Sequence, residues 1–223
     1  MPFSIKTLDF LSENRMRNNK AWFNEHKSDY QNLVLAPFVE LVEKLAPTML
    51  EMDSLLICEP KVDKCISRIY RDTRFSKDKS FYRDVMWCFF MRIKKLTGGQ
   101  PGFFFELSQA GFRYGCGYYM AATDTMDSMR ELILNDDKDF QKALKTFEKQ
   151  SVFGMEGESY KKSRHPQSPE NLRNWLDRKT ICFIHNSKDF DLLFSDKIPD
   201  KIAEDFQRIK PIYQFLMKCE ERK

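Results

Sequence analysis

The chain has 223 residues, 42% of them apolar and 31% charged, and its 37 Lys and Arg exceed its 33 Asp and Glu by four. A body of that size can bury roughly 70% of the surface its unfolded chain exposes, while a +4 balance is well short of the basic footprint of a dedicated nucleic-acid binder. The N-terminal MPFSIKTLDFLSENRMR has no basic stretch leading into an apolar one, and no segment nears the roughly 20 apolar residues of a membrane span, so a cytoplasmic protein without a membrane segment is expected.

Taken in chain order, the first third reads as helix. Ser4 can cap a short helix carrying Ile5, Leu8 and Leu11. Asn18 or Asn19 can cap a longer one, with Trp22, His26, Tyr30, Leu33, Phe38, Leu41 and Leu45 at helical steps. Pro37 should kink or break it, and Pro47 should end it, since proline lacks the N–H and clashes one turn back.

The middle third reads as sheet. Met86 to Ile93 is an apolar run of strand length, as for a strand covered on both faces. Pro101 to Met120 then reads as a hairpin, two aromatic-rich runs separated by Gln109-Ala110-Gly111. In its second run Phe112, Tyr114, Cys116, Tyr118 and Met120 share a face, and Arg113, Gly115, Gly117 and Tyr119 the other. Two positions without side chains on one face imply a close approach by a helix or a ligand.

Helix returns in the last third. Met126, Met129, Leu132 and Ile133 mark one helix begun at Thr123 or Asp124, and Phe140, Leu144 and Phe147 a second. A loop over 151–167 carries Lys161, Lys162, Arg164 and His165. Ser168-Pro169 should start a further helix, with Ser as the cap. ICFIHNS is a candidate strand, and Ile202, Phe206, Ile209, Tyr213 and Leu216 form one apolar stripe on a C-terminal helix. Strands cluster rather than alternate with helices, so the expected class is α+β: a single domain over 1–223, a mainly antiparallel sheet covered by helices, with helical N- and C-terminal segments. With 20 Phe its core should be aromatic.

The six cysteines, Cys58, Cys65, Cys88, Cys116, Cys182 and Cys219, form no CxxC pair, so they read as reduced core thiols rather than a disulfide framework or a zinc site. His26, His165 and His185 form no ligand pattern; His26 reads as a core or boundary residue, and His165, in the basic loop, is the better functional candidate. Glu59-Pro60-Lys61 imitates the Glu-x-Lys of a metal-dependent nuclease, but its proline disturbs the required strand. Gly115-Cys116-Gly117 lacks the third glycine of a dinucleotide fingerprint, Met120 standing there. The sequence names no cofactor.

The concentrated candidate is RIYRDTRFSKDKSFYR, Arg68 to Arg83. Eight basic residues lie between Lys61 and Arg83, interleaved with Asp63, Asp72 and Asp78. Arginine forks match phosphate and carboxylate, and a lysine adds a point charge. The ligand-binding candidates are therefore Arg68, Arg71, Arg74, Lys79 and Tyr82, with Asp72 and Asp78 as acid–base or metal-binding candidates. Whether the segment is extended or helical, Arg68 is expected beside Asp72. The competing reading is a structural ion-pair network anchored by Ile69, Tyr70, Phe75, Phe81 and Tyr82.

This string resembles the signature of the family called domain of unknown function 2461, whose members carry R-I-x-R-D-x-R-F-S-x-D-K-x-P-Y-K/R. The resemblance extends to NNKAWF (Asn18 to Phe23), PGFFF (Pro101 to Phe105), GCGYYM (Gly115 to Met120), and Arg130 with Ile133. Here Phe81 replaces the family's proline, which implies a looser turn after Lys79; Cys116 interrupts the glycine run, and Ala121 stands where a proline is common. The resemblance implies a fold and a motif, and no activity.

The expected function is a binder of, or an enzyme acting on, a phosphorylated or other anionic small molecule. The alternative is a non-catalytic nucleic-acid or protein interaction domain in which the cluster is structural. The modest net charge makes nucleic acid the less favoured partner.

Overall fold

A computed structural model describes residues 3–92 and 99–222. The chain forms two compact units: Met1–Phe90 with Phe104–Tyr114 and Asn186–Ala203, and Met91–Phe103 with Gly115–His185 and Glu204–Lys223. The class is α+β. Strands β1 (Met86–Phe90), β2 (Gly102–Ser108), β3 (Gly111–Gly117), β4 (Gly154–Glu156) and β5 (Cys182–Ser187) make an antiparallel sheet in the order β1-β2-β3-β5-β4. The β4–β5 register places Met155 opposite Phe183.

In the first unit, α1 (Ile5–Arg17) packs on a π-helical turn, Tyr30–Leu35, that joins α2 (Lys20–Glu25) and α3 (Lys27–Asp29) to α4 (Ala36–Met52). Asn19 caps α2, its Oδ1 accepting from Ala21 N at 2.8 Å and Trp22 N at 3.1 Å. Asn18 instead closes α1 in the left-handed conformation. Ile5 lies exposed, outside the buried stripe of Leu8 and Leu11.

The two prolines act differently: Pro37 marks a change in the helical run, while Pro47 leaves it uninterrupted. Pro37 does not break the helical run; the run widens into the π turn just before it. Lacking an N–H, Pro37 cannot bond the Leu33 carbonyl one turn back, and the buried Thr7 hydroxyl donates to that oxygen at 2.7 Å. Thr7 also accepts the Ser4 N–H at 3.1 Å. Pro47 does not end α4, which continues to Met52. Pro47 and Glu43 both face solvent, so the Glu43 carbonyl it leaves without a helical donor is on the wet side.

Strand β1 is shorter than the apolar run predicts and is not covered on both faces. Met86, Cys88 and Phe90 are buried, while Trp87 and Phe89 are half-buried; Arg83 stacks over Trp87 at 4.6 Å. Ile93, counted in the predicted strand, lies outside the described residues. The first core is aromatic: Phe3 lies 5.0 Å from Phe38 and 5.5 Å from Phe105.

In the second unit, α10 (Lys210–Glu221) packs on α5 (Thr123–Leu134) and α6 (Lys138–Lys149), and α5 on α7 (Glu170–Leu176). Trp175 is the hub, with ring centroids 5.1 Å from Phe183 and 5.4 Å from Phe140. The predicted single C-terminal helix is two, α9 (Ile198–Arg208) and α10, broken at Ile209 because Pro211 suits a first turn and not an interior. The stripe from Ile202 to Leu216 is nevertheless buried throughout. Strand β4 occupies part of the predicted 151–167 loop, and Pro169 rather than Ser168 takes the cap position of α7. A short helix, α8 (Phe190–Leu193), follows β5.

The glycine face of β3 is filled by the backbone of β5, neither by a helix nor by a ligand. A Cβ on Gly115 would lie 2.0 Å from the Phe183 carbonyl oxygen, and one on Gly117 2.5 Å from the Cys182 Cα. All six cysteines are unpaired; Cys65, Cys88, Cys116 and Cys219 are buried. No helix among the described residues is long and apolar enough to cross a membrane.

Candidate functional site

The signature segment is neither helix nor regular strand. Ile66 bridges Cys88 and Tyr70 bridges Tyr82, both antiparallel. Arg71 N donates to Phe81 O at 2.8 Å and Arg83 N to Ile69 O at 2.9 Å. Residues 71–80 are thus the closed end of an irregular hairpin that runs back into β1. Aspartate turns shape that end: Asp72 Oδ1 accepts the Arg74 N–H at 3.1 Å, and Asp78 Oδ1 the Ser80 N–H at 2.9 Å.

Asp78 is the knot. Its Oδ2 accepts from Arg71 Nη1 at 2.5 Å and from Arg15 Nη2, and its Oδ1 also accepts the Ser80 hydroxyl. The end of α1 grips the hairpin at two further points: Arg15 Nη1 donates to Tyr82 O at 3.1 Å, and Asn18 Oδ1 accepts the Phe81 N–H at 2.7 Å. Phe81 therefore does not loosen the turn. It supplies an N–H that the family's proline lacks, and the turn is tied to α1 through it.

The predicted residues are placed as follows. Arg68 makes its ion pair with Asp63 at 2.7 Å rather than with Asp72, although its charge still acts on Asp72 through space; the irregular backbone replaces the regular spacing on which a direct pair rested. Asp72 pairs with Arg74, also at 2.7 Å. Lys79 Nζ donates to the Thr73 carbonyl at 2.8 Å. Tyr82 is no surface ligand residue: it is fully buried, its ring 4.9 Å from Phe23 and 5.2 Å from Tyr70, and burial pushes its hydroxyl up to about 12. The partners that sequence reasoning missed are Arg15, Asn18 and Ser80; α1 and the hairpin are far apart in the chain, and no local pattern announces their contact. His26 is satisfied within its helix, Nδ1 lying 2.9 Å from Trp22 O, and His185 Nδ1 lies 3.0 Å from Val152 O. Among the described residues no group of three His, Cys, Asp or Glu could hold a metal ion.

With the site's geometry in view, comparison with known families gives one result: the profile of the conserved hypothetical protein family DUF2461 matches residues 6–215. The chain belongs to that family. No curated protein matches it. Within this DUF2461 chain the resemblance-bearing strings have structural places: Asn18 and Asn19 at helix ends, PGFFF entering β2, GCGYYM in and just after β3, and Arg130 in α5.

The carboxylates of the hairpin are held strongly acidic. Hydrogen bonding from Arg74 brings Asp72 down to about 2. Donation by Ser80, then Arg15 and Arg71, holds Asp78 lower still. A carboxylate lowered on folding contributes stability that is present above its unfolded value, about 3.9, and lost as pH falls through its folded value. The Arg74 and Ser80 amide resonances are therefore expected to hold position from pH 7 to about 4 and to move only between about pH 4 and 2 or below, Arg74 first. A transition completed above pH 4 would contradict this assignment. Asp72 holds Arg74, and Asp78 holds Arg15 and Arg71.

Proposed function

We propose that the 68–83 hairpin, together with Arg15, receives an anionic group such as phosphate or carboxylate. One observation carries this reading: two guanidinium groups, Arg15 and Arg71, end on the same oxygen of a single carboxylate, Asp78. Both arginines are three-quarters covered, so their mutual repulsion is only partly screened, and one positive charge of the knot is left over. A bound anion relieves that repulsion. A guanidinium can meet such an anion with two N–H groups at once.

A thermal-shift series tests the reading. Phosphate and pyrophosphate are expected to raise the midpoint of the wild-type chain with rising concentration, above the effect of chloride at equal ionic strength. Arg71→Lys should keep a charge at Asp78 but lose most of that increment, because the fork is gone. An increment equal to that of chloride overturns the proposal.

A second reading, that the network is structural, is supported by the local pairings Arg68–Asp63, Arg74–Asp72 and Lys79–Thr73. Under it Arg71→Ala lowers the midpoint and leaves the phosphate increment at its wild-type size.

A further inference from the structure

The +4 of the whole chain hides a sharply uneven distribution. Residues 61–83 hold eight basic and three acidic side chains, a balance of +5, so the other 200 residues together carry −1. The net positive charge of the protein therefore resides in the signature hairpin and its approach. Lys77 is exposed and pairs with no carboxylate among the described residues. The Arg68–Asp63 and Arg74–Asp72 pairs are more than half exposed, and surface pairs of that kind hold their cations weakly enough for a phosphate to take them over.

The same surface bears aromatic rings in the open. Phe75, at the end of the hairpin, is 96% exposed, and Tyr70 and Phe81 are over 40% exposed. Each phenylalanine has a cation near its ring: Arg74 lies 5.9 Å from Phe75, and Lys20 4.9 Å from Phe81. A Phe held almost wholly in water gains nothing for the fold, since its burial would be worth more than its display. Cations that track a phosphate backbone, interleaved with open rings on which bases stack, are the recognition chemistry of single strands. A duplex hides its base faces and offers the rings nothing.

Resting on the anion reading above, we infer that the anionic ligand is a single-stranded nucleic acid, with one phosphate at Arg15 and Arg71, further phosphates on Arg68, Arg74, Lys77 and Lys79, and bases stacked on the open rings of Phe75, Phe81 and Tyr70. An acidic protein segment would satisfy the cations but leave the ring faces without partners, and a small free phosphate would leave both the rings and the outer cations unused.

The test is fluorescence anisotropy with a labelled 12-nucleotide oligouridine, set beside the phosphate thermal-shift series. Affinity is expected to fall with salt at a log–log slope of about −3.5, as for the four outer cations and the one excess charge at Arg15 and Arg71 on a single strand. Phe75→Ala should weaken binding about tenfold or more while leaving the phosphate increment intact. Its side chain supports nothing in the fold, so an unchanged circular-dichroism spectrum and melting midpoint are expected. Lys77→Ala should lower the steepness of the salt slope by about 0.7. Equal affinity for Phe75→Ala and wild type, equal affinity for a duplex of the same length, or equal competition by inorganic polyphosphate of matched charge would each overturn the inference. A phosphate increment without oligouridine binding sinks the nucleic-acid inference alone; loss of both sinks the anion reading with it.

Discussion

Gly115→Ala is expected to cost about 3 kcal/mol of stability, the upper part of the range for forcing an atom into a filled interior. The added methyl would sit 2.0 Å from a backbone oxygen of β5, that of Phe183, and a main-chain atom in a sheet cannot rotate away as a side chain can. Relief requires β3 and β5 to separate locally, at the expense of their ladder bonds. Gly154→Ala is the control: its nearest neighbour, the Ile184 oxygen, is 3.9 Å away, so that change should stay within about 0.5 kcal/mol of wild type. Urea unfolding followed by tryptophan fluorescence separates the two. Equal midpoints for the two variants would show that the crowding at Gly115 is absorbed without cost. Oligonucleotide or phosphate binding that fails in Gly115→Ala while stability holds would restore the glycine strand as a ligand cradle.

Arg130→Met is the second large effect, about 2–4 kcal/mol from unsatisfied buried acceptors. Arg130 is buried on α5 and donates from Nε to Leu176 O at 2.9 Å, from Nη2 to Arg178 O at 2.6 Å and from Nη1 to Asp127 at 2.7 Å. It thereby caps the carbonyl end of α7 and fixes the turn that leads into β5. Methionine keeps most of the volume and leaves two carbonyls without donors. Arg130→Lys should recover less than half of the loss, since one ammonium cannot reach three acceptors held by a planar fork. The same urea series reads both variants, and a lysine variant at wild-type stability would mean that charge rather than geometry is what α5 supplies.

These two positions also show what a single sequence makes legible. Period and turn chemistry located the β2–β3 hairpin, α5, α6 and β5, because in each the local pattern and the tertiary burial agree. The prolines misled where a distant group compensates: Thr7 is 26 residues before the carbonyl it satisfies. Crowding at Gly115 was legible, its agent was not, since a missing side chain says that something is near without saying what. At the hairpin, the residue types were plain but their pairing was not. Asp78 is held by Arg15, which is 63 residues away in the chain, whereas short-range spacing suggested Asp72 with Arg68. Arg130 could be singled out only through the family resemblance; its two carbonyl acceptors lie 46 and 48 residues away and leave no trace in local spacing.

The buried thiols give the chain a built-in clock. Burial raises Cys88 and Cys116 far above the ordinary thiol range and Cys219 to about 12. Only a thiolate attacks an alkylating reagent, and at pH 8 a thiol with a pKa near 12 is ionised about once in ten thousand. Covalent labelling of the closed protein is thus negligible, and each modification event timestamps an opening of the element that carries the sulfur. Cys88 reports on β1, Cys116 on β3 and Cys219 on α10. Mass spectrometry of the unaltered chain, quenched at intervals after reagent is added, can therefore rank how readily three secondary-structure elements open without introducing a single probe.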